Sequence, residues 1–406
     1  MKVLLLSLFL FNMLLAWSSP SLSNDIFKHY PELNNAGLLM ADPQGNALLE
    51  LDKNKRIVPA STTKLLTAWL ALKHWGENHH FRTRFYVDTA SQILWVKGSG
   101  DPFLVSEELS LIAKNLHTLG LSEVKTIALD VSQFQADLSV PGSSKTNNPY
   151  DAIPTPIAAN FNTFDVKKVA GKLVSAETQT PITNIAKKRA SQQNVGRSSL
   201  RINTGFSSKT AEHYFAELLA VFLRQQGITV SNHVIWAKAP QKTPYYIHIN
   251  SKSLGEIIRP MMKYSTNFIA NQLVLNLSFE QFQRPVNFSD VQTYMETTLQ
   301  QHFGWKNSVL EEGAGLSRKN QLSPQQLVEL LNDFRQWKHL LPEVTSGIYA
   351  KSGTLNGIST LAGYAVDDNQ QWNAFALMMQ QSVRHKRRNM ITQELFVRAA
   401  SAANKP

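Results

Sequence analysis

The chain has 406 residues, 43% of them hydrophobic, with 41 Lys and Arg against 30 Asp and Glu for a formal charge of +11. That length predicts two domains or one large interrupted one, and the hydrophobic share is that of a globular protein with sizeable cores. The absence of cysteine excludes a thiol nucleophile, a disulfide framework and a cysteine metal site.

Positive charge favours anionic partners: nucleic acid, acidic lipid or an anionic polymer. No zinc-finger, helix-turn-helix or aromatic RNA-binding signature accompanies it, so nucleic acid is not expected and a basic solvated face is the plainer reading. His79-His80 is a polar pair near a turn, and Glu212, His213 and Glu217 fall on an amphipathic helix. Neither forms His-Glu-x-x-His, so no metal or other cofactor is expected.

Residues 1–23 read as a signal peptide: Lys2 is the positive start, 3–17 an apolar stretch short for a membrane span, and 18–23 small residues suited to cleavage. The expectation is an exported, periplasmic protein with no permanent membrane anchor. Next, strands over 36–41 and 47–51 flank Asp42-Pro43-Gln44-Gly45-Asn46, a strong hairpin turn.

Pro59-Ala60-Ser61-Thr62-Thr63-Lys64 follows, with apolar residues at 65, 66, 69, 70 and 72 and Gly76 as a stop, which predicts a helix starting at Ser61. Three positions apart, Ser61 and Lys64 share one helix face. A serine hydroxyl needs an adjacent base to become a good nucleophile, and an amine serves only when neutral. Burial, the helix N-terminus and a second cation all lower a lysine pKa. Alone, Ser-x-x-Lys reads as a helix cap with a solvated lysine; the same pattern at Ser122-Glu123-Val124-Lys125 leads into a strand.

Beyond 81 come short strands over 84–87 and 92–96, Gly98-Ser99-Gly100-Asp101-Pro102, a helix over 107–119 and a strand over 125–129. Residues 139–210, rich in Ser, Thr, Asn, Pro and Lys, read as loops and short strands. The stretch 82–244 is therefore expected to be an insertion domain within a domain formed by 24–81 and 245–406. Helical periodicity returns over 211–227 and 253–263, the latter disturbed by Pro260. Ser265-Thr266-Asn267 then marks an exposed junction before another apolar helix through Leu277. Strands over 347–351, 358–366 and 372–379 precede a last helix over 390–403, and His385-Lys386-Arg387-Arg388 reads as a solvated turn before it. With the hairpin over 36–51 these strands predict a five-stranded antiparallel sheet flanked by helices, an α+β fold.

Ser61-x-x-Lys64, Ser265-x-Asn267 and Lys351-Ser352-Gly353-Thr354 occur in that order. The trio is the signature of penicillin-binding proteins and class A β-lactamases. Gly353 removes a side chain where a ligand backbone must approach. Singly, Ser265 and Asn267 could cap a helix and Lys351 could guard an edge strand.

Together with Gly98-Ser99-Gly100-Asp101-Pro102, Gly313-Ala314-Gly315-Leu316-Ser317-Arg318, Leu361-Ala362-Gly363-Tyr364 and the long insertion, the trio resembles the D-alanyl-D-alanine carboxypeptidase/endopeptidase family, the class C low-molecular-mass penicillin-binding proteins. The resemblance implies a penicillin-binding, serine β-lactamase-like transpeptidase fold and an exported enzyme. It would act on peptidoglycan stem peptides and be inhibited covalently by β-lactams. It implies that Ser61 attacks the penultimate D-alanine carbonyl, Lys64 is the general base, Ser265 relays a proton, and Asn267 bonds Lys64 and a substrate amide. Lys351 would attract the terminal carboxylate and help keep Lys64 neutral. Ser352 and Thr354 hydroxyls would bind that carboxylate, and the backbone N–H groups of Ser61 and Thr354 would form an oxyanion hole. The chain departs from the family with Glu at 312 for Asp, Ala at 314 for Ser, Ser352 for Thr and a short 265–351 segment. Rival readings are a catalytically silent cell-wall scaffold and a serine β-lactamase.

Overall fold

A computed structural model describes residues 27–306 and 308–403; the predicted signal peptide, 1–23, lies outside the described residues. In chain order the elements are β1 (Ala36–Ala41), β2 (Ala47–Leu51), α1 (Thr63–Trp75), β3 (Arg82–Asp88), β4 (Ile93–Lys97), α2 (Ser106–Thr118), β5 (Glu123–Asp130), β6 (Thr163–Val169), β7 (Lys172–Ser175), α3 (Asn184–Ser191), β8 (Leu200–Asn203), α4 (Ser208–Gln225), β9 (Thr229–Trp236) and β10 (Tyr246–Ile249). There follow α5 (Leu254–Tyr264), α6 (Asn267–Phe282), α7 (Phe288–Phe303), α8 (Pro324–Phe334), β11 (Glu343–Thr345), β12 (Ile348–Leu355), β13 (Ile358–Val366), β14 (Trp372–Met379) and α9 (His385–Ala403).

The two ends of the chain meet in one sheet, ordered β11-β12-β13-β14-β1-β2 and antiparallel throughout. Its central strands β13, β14 and β1 are buried on both faces because both faces are covered. Leu38 and Met40 pack with Ile391 and Leu395 of α9, whereas Leu39 and Ala41 join the core beneath α1 and α8. Alternate strand residues point to opposite faces, so one short apolar run supplies two cores. The sheet differs from the five expected strands by β11, three residues long, which pairs with β12 and leaves little periodicity to read.

Helix α1 is enclosed by α5, α6 and α8, and ten of its residues are buried, as suits a helix apolar nearly all round. Among those ten is Lys64. Burying a charged amine costs several kcal/mol unless it is paired or neutral, so this position already demands an explanation.

Residues between β3 and β10 build a second five-stranded sheet, ordered β10-β3-β4-β5-β9, and a three-stranded one, β7-β6-β8. Helices α2 and α4 pack on the former, with Leu109, Ile112, Phe215 and Leu219 in a core of its own. Asn160, Phe161 and Asn162 have φ of 49, 63 and 52°, a left-handed turn that sets Phe161 against Phe103 and Phe268, beside the start of α6.

The basic run at 385–388 is a correction. It is the first turn of α9 rather than a solvated turn, and Arg388 is 1% exposed. Its guanidinium donates to the Thr360 and Gly353 carbonyls at 3.1 and 3.4 Å, behind β13 and β12.

Candidate active site

Ser61 lies in a single 3₁₀ turn, Ala60–Thr62, that runs directly into α1. Ala60 holds φ at 48°, a left-handed conformation that a non-glycine residue adopts only when its surroundings impose it. Two of those constraints are visible. Thr63 Oγ1 donates to the Ala60 carbonyl at 2.8 Å, and Gly315 packs so closely on that carbonyl that a Cβ there would lie 1.8 Å from the oxygen.

The Lys64 amine has three neighbours: Asn267 Oδ1 at 2.7 Å, the Ala314 carbonyl at 2.7 Å and Ser61 Oγ at 3.1 Å. The first two can only accept, whereas a hydroxyl can donate or accept. A neutral amine has two N–H bonds and one lone pair. With both N–H bonds directed at the obligate acceptors, the lone pair faces the serine hydroxyl, the arrangement a general base requires. Burial holds the amine well below the ordinary lysine range, the Lys351 charge lowers it further, and Glu312 opposes them.

Glu312 is fully buried and shapes the loop that presents the Ala314 carbonyl. Its carboxylate accepts the backbone N–H groups of Ala314, Gly315, Leu316 and Ser317 and the Asn320 amide, at 2.7 to 3.3 Å. Burial raises its pKa, against those N–H donors and Lys64. The longer acid is therefore accommodated by curling the loop around itself.

Asn267 opens α6, and Ser265 is the left-handed C-cap of α5 with φ 59° and ψ 41°. The junction brings Asn267 to Lys64 but not Ser265, whose hydroxyl has no hydrogen-bond partner among the described residues. Ser265 instead lines a cavity of about 820 Å³ with Tyr150, Phe161, Asn267, Phe268 and Arg201. The second arm of Asn267 also differs from expectation: Nδ2 donates to the Tyr150 carbonyl at 3.1 Å, which ties the junction to the segment between β5 and β6.

On β12, Lys351 is 2% exposed and its Nζ donates to the Ser352 carbonyl at 2.8 Å. Burial first, and the Arg388 charge second, bring its pKa down to about 7. No local signal marks Arg388, because a run of charges does not say which one a helix turns inward. The hydroxyls of Ser352 and Thr354 have no side-chain hydrogen bond among the described residues, and Thr354 is exposed.

Gly353 serves a different approach from the one expected. What comes near it is the protein itself: a Cβ would lie 2.3 Å from Thr360 Oγ1 and 2.8 Å from both the Pro59 carbonyl and the Ser61 nitrogen. Thr360 Oγ1 also bonds the Pro59 carbonyl at 2.8 Å. The missing side chain thus seats the nucleophile turn against β12 and β13. This brings the Ser61 N–H beside the strand carrying Thr354.

Comparison with known proteins places this geometry among related chains. The model of the family described as D-Ala-D-Ala carboxypeptidase 3 (S13) matches residues 23–342. The D-alanyl-D-alanine carboxypeptidase DacB of Haemophilus influenzae is 24% identical over 89% of each chain. A D-alanyl-D-alanine carboxypeptidase of an Actinomadura species is 25% identical over 82% of this chain and 76% of its own. Among solved structures, penicillin binding protein 4 of H. influenzae superposes with a TM-score of 0.72 at 22% identity, covering 89% of this chain and 93% of that one.

Proposed function

The chain belongs to the D-Ala-D-Ala carboxypeptidase 3 (S13) family, and on that premise we propose a serine peptidase that acylates on Ser61 with Lys64 as its base. Its reaction is that of a D-Ala-D-Ala carboxypeptidase on peptidoglycan stem peptides, and the same acylation serves DD-endopeptidase cleavage. The observation that carries the assignment is the Lys64 amine, buried between two obligate acceptors with its third direction on Ser61 Oγ.

In the proposed sequence, Lys64 takes the Ser61 proton as the oxygen attacks the penultimate D-alanine carbonyl. The N–H groups of Ser61 and Thr354 meet the developing oxyanion. Ser352 and Thr354 hold the terminal carboxylate, drawn in by the positive field of Lys351. The proton held by Lys64 passes to the leaving amine, and D-alanine departs from an ester on Ser61; Ser265, which makes no hydrogen bond to Lys64 among the described residues, lines the cavity that receives the peptide. Water then hydrolyses that ester. The insertion, expected over 82–244 and carried by its strand pairing through β10, walls the site through Tyr150 and Phe161. Penicillins acylate the same oxygen.

We place the protein in the periplasm, on the leader-like character of 1–23; among the described residues no helix is long and apolar enough to cross a membrane. Mass spectrometry after incubation with penicillin tests the reading: a stable adduct on the peptide containing Ser61, absent in Ser61→Ala, is expected. Free D-alanine should appear from a pentapeptide ending in D-Ala-D-Ala. Equal, negligible release by wild type and Ser61→Ala favours the silent scaffold, and rapid drug turnover a β-lactamase.

A further inference from the structure

Part of the excess positive charge gathers in one groove. A groove of about 1140 Å³ runs between the β3–β4 face and the C-terminal end of α6, sharing no residue with the catalytic constellation. Arg82, Arg84, Lys97, Lys238 and Arg284 line it against a single acid, Glu280. Glu280 is already engaged by His74 and Trp75, and Arg284 by Asp290. The other four cations form no side-chain hydrogen bond or ion pair among the described residues.

Strand register makes this arrangement costly. Arg84 stands directly opposite Lys97 in the antiparallel β3–β4 pair, and Arg82 follows two positions away on the same face. Like charges at directly opposed sheet positions repel and destabilise the pair. Across the other edge of β3, Arg82 and Arg84 face Ile249 and Ile247, which are 53% and 42% exposed. A solvent-facing groove with uncompensated repulsion and an apolar margin is suited to an anionic chain that bridges the cations.

We propose that this groove is a secondary docking surface for carboxylate-bearing stem peptides of the peptidoglycan polymer, engaging stems other than the one being cut. The proposal rests on the carboxypeptidase reading. Each uncut D-Ala-D-Ala end carries a free α-carboxylate, so a polymer rich in substrate presents a row of anions at short intervals. Arg82, Arg84, Lys97 and Lys238 bind those carboxylates, and Ile249 with Phe279 contacts alanyl methyl groups. Docking holds the polymer on the enzyme and so raises the local concentration of further substrate ends.

The test compares wild type with Arg84→Glu/Lys97→Glu, which keeps a like-charge pair but reverses its sign, and with Arg84→Gln/Lys97→Gln, which relieves the repulsion and so should melt no lower than wild type. Sedimentation with purified sacculi should weaken about tenfold for the Glu pair and fall with salt for wild type. Release of D-alanine from a soluble pentapeptide should stay within about twofold, while release from sacculi falls with binding. Wild-type binding by either variant, or equal wild-type binding to sacculi stripped of stem peptides by an amidase, overturns the proposal. Should wild type release no D-alanine from the pentapeptide yet bind sacculi in this charge-dependent way, the catalytic reading fails and the docking surface stands.

Discussion

Asn267 Oδ1 lies 2.7 Å from Lys64 Nζ across 203 positions of sequence. The same amide holds the Tyr150 carbonyl through Nδ2, so one side chain fixes the base and anchors a wall of the site. Asn267→Ala strands a Lys64 N–H and the Tyr150 carbonyl. A buried donor or acceptor left without its partner costs about 1–3 kcal/mol, so acylation by fluorescent penicillin should slow by about five- to a hundredfold. Asn267→Asp should slow it at neutral pH as well, because a carboxylate beside the amine favours its protonated form. Wild-type rates in both variants would remove the amide from the mechanism.

Lys64→Met should separate stability from activity. It deletes a buried amine that costs desolvation but leaves the Asn267 Oδ1 and Ala314 carbonyl acceptors unpaired, so the melting temperature should change little while acylation falls by about 10²–10⁴-fold. Lys64→Arg should be equally inactive, since a guanidinium does not lose its proton in a protein. Retained acylation by Lys64→Arg would exclude Lys64 as the base.

The pH profile should carry the imprint of both lysines. Acylation requires neutral Lys64, so its acid limb should lie well below the ordinary lysine pKa. The Lys351 charge helps lower that pKa, so Lys351→Gln should move the limb to higher pH; a shift to lower pH would reverse the assigned sign. Lys351 also links pH to stability. Its folded pKa is about 7, against about 10.4 in an unfolded chain. Between those values the unfolded state binds more protons, so stability rises with pH through that window. Lys351→Met should accordingly raise the melting temperature more at about pH 6 than at about pH 10.

Gly353→Ala should abolish adduct formation. The added methyl group meets Thr360 Oγ1 and two backbone atoms of the nucleophile turn. Trimming Thr360 to Ala in the same chain removes only the first clash, so the double variant should stay inactive. Rescue by Thr360→Ala would mean that the backbone approach is not the constraint.

Glu312→Gln should destabilise the chain by about 1–3 kcal/mol, the cost of a buried donor left without its acceptor, because the new amide NH₂ faces N–H groups. Denaturant titration measures it. An unchanged midpoint would show that the loop does not depend on the carboxylate.

Several parts of this site were legible from local rules. Ser61 and Lys64 are three positions apart, and although Ser61 sits in the 3₁₀ turn before α1 that spacing still brings the two side chains within 3.1 Å. The strands at 36–41, 358–366 and 372–379 could be read from apolar runs between turn residues, and the S13 family match agrees with the family that the motifs resemble. Other parts left no local trace. The Ala314 carbonyl is a backbone atom that any residue would supply, and its aim depends on the Glu312 loop. Arg388 looked solvated because a charged run at a helix start names no inward face; packing of α9 on the sheet selected one.

By itself the amino-acid order determined the spacing of the proposed reactive pair, the glycine at 353 and the apolar runs that become strands, because helix and strand periods act over a few residues. Only the tertiary structure decided that the amine at 64 meets two acceptors from distant segments, that Ser265 stands apart from it, and that five cations share one open groove. Such distances depend on how whole elements cross, and burial, the chief reason a lysine loses its proton here, exists only once the chain has closed over it.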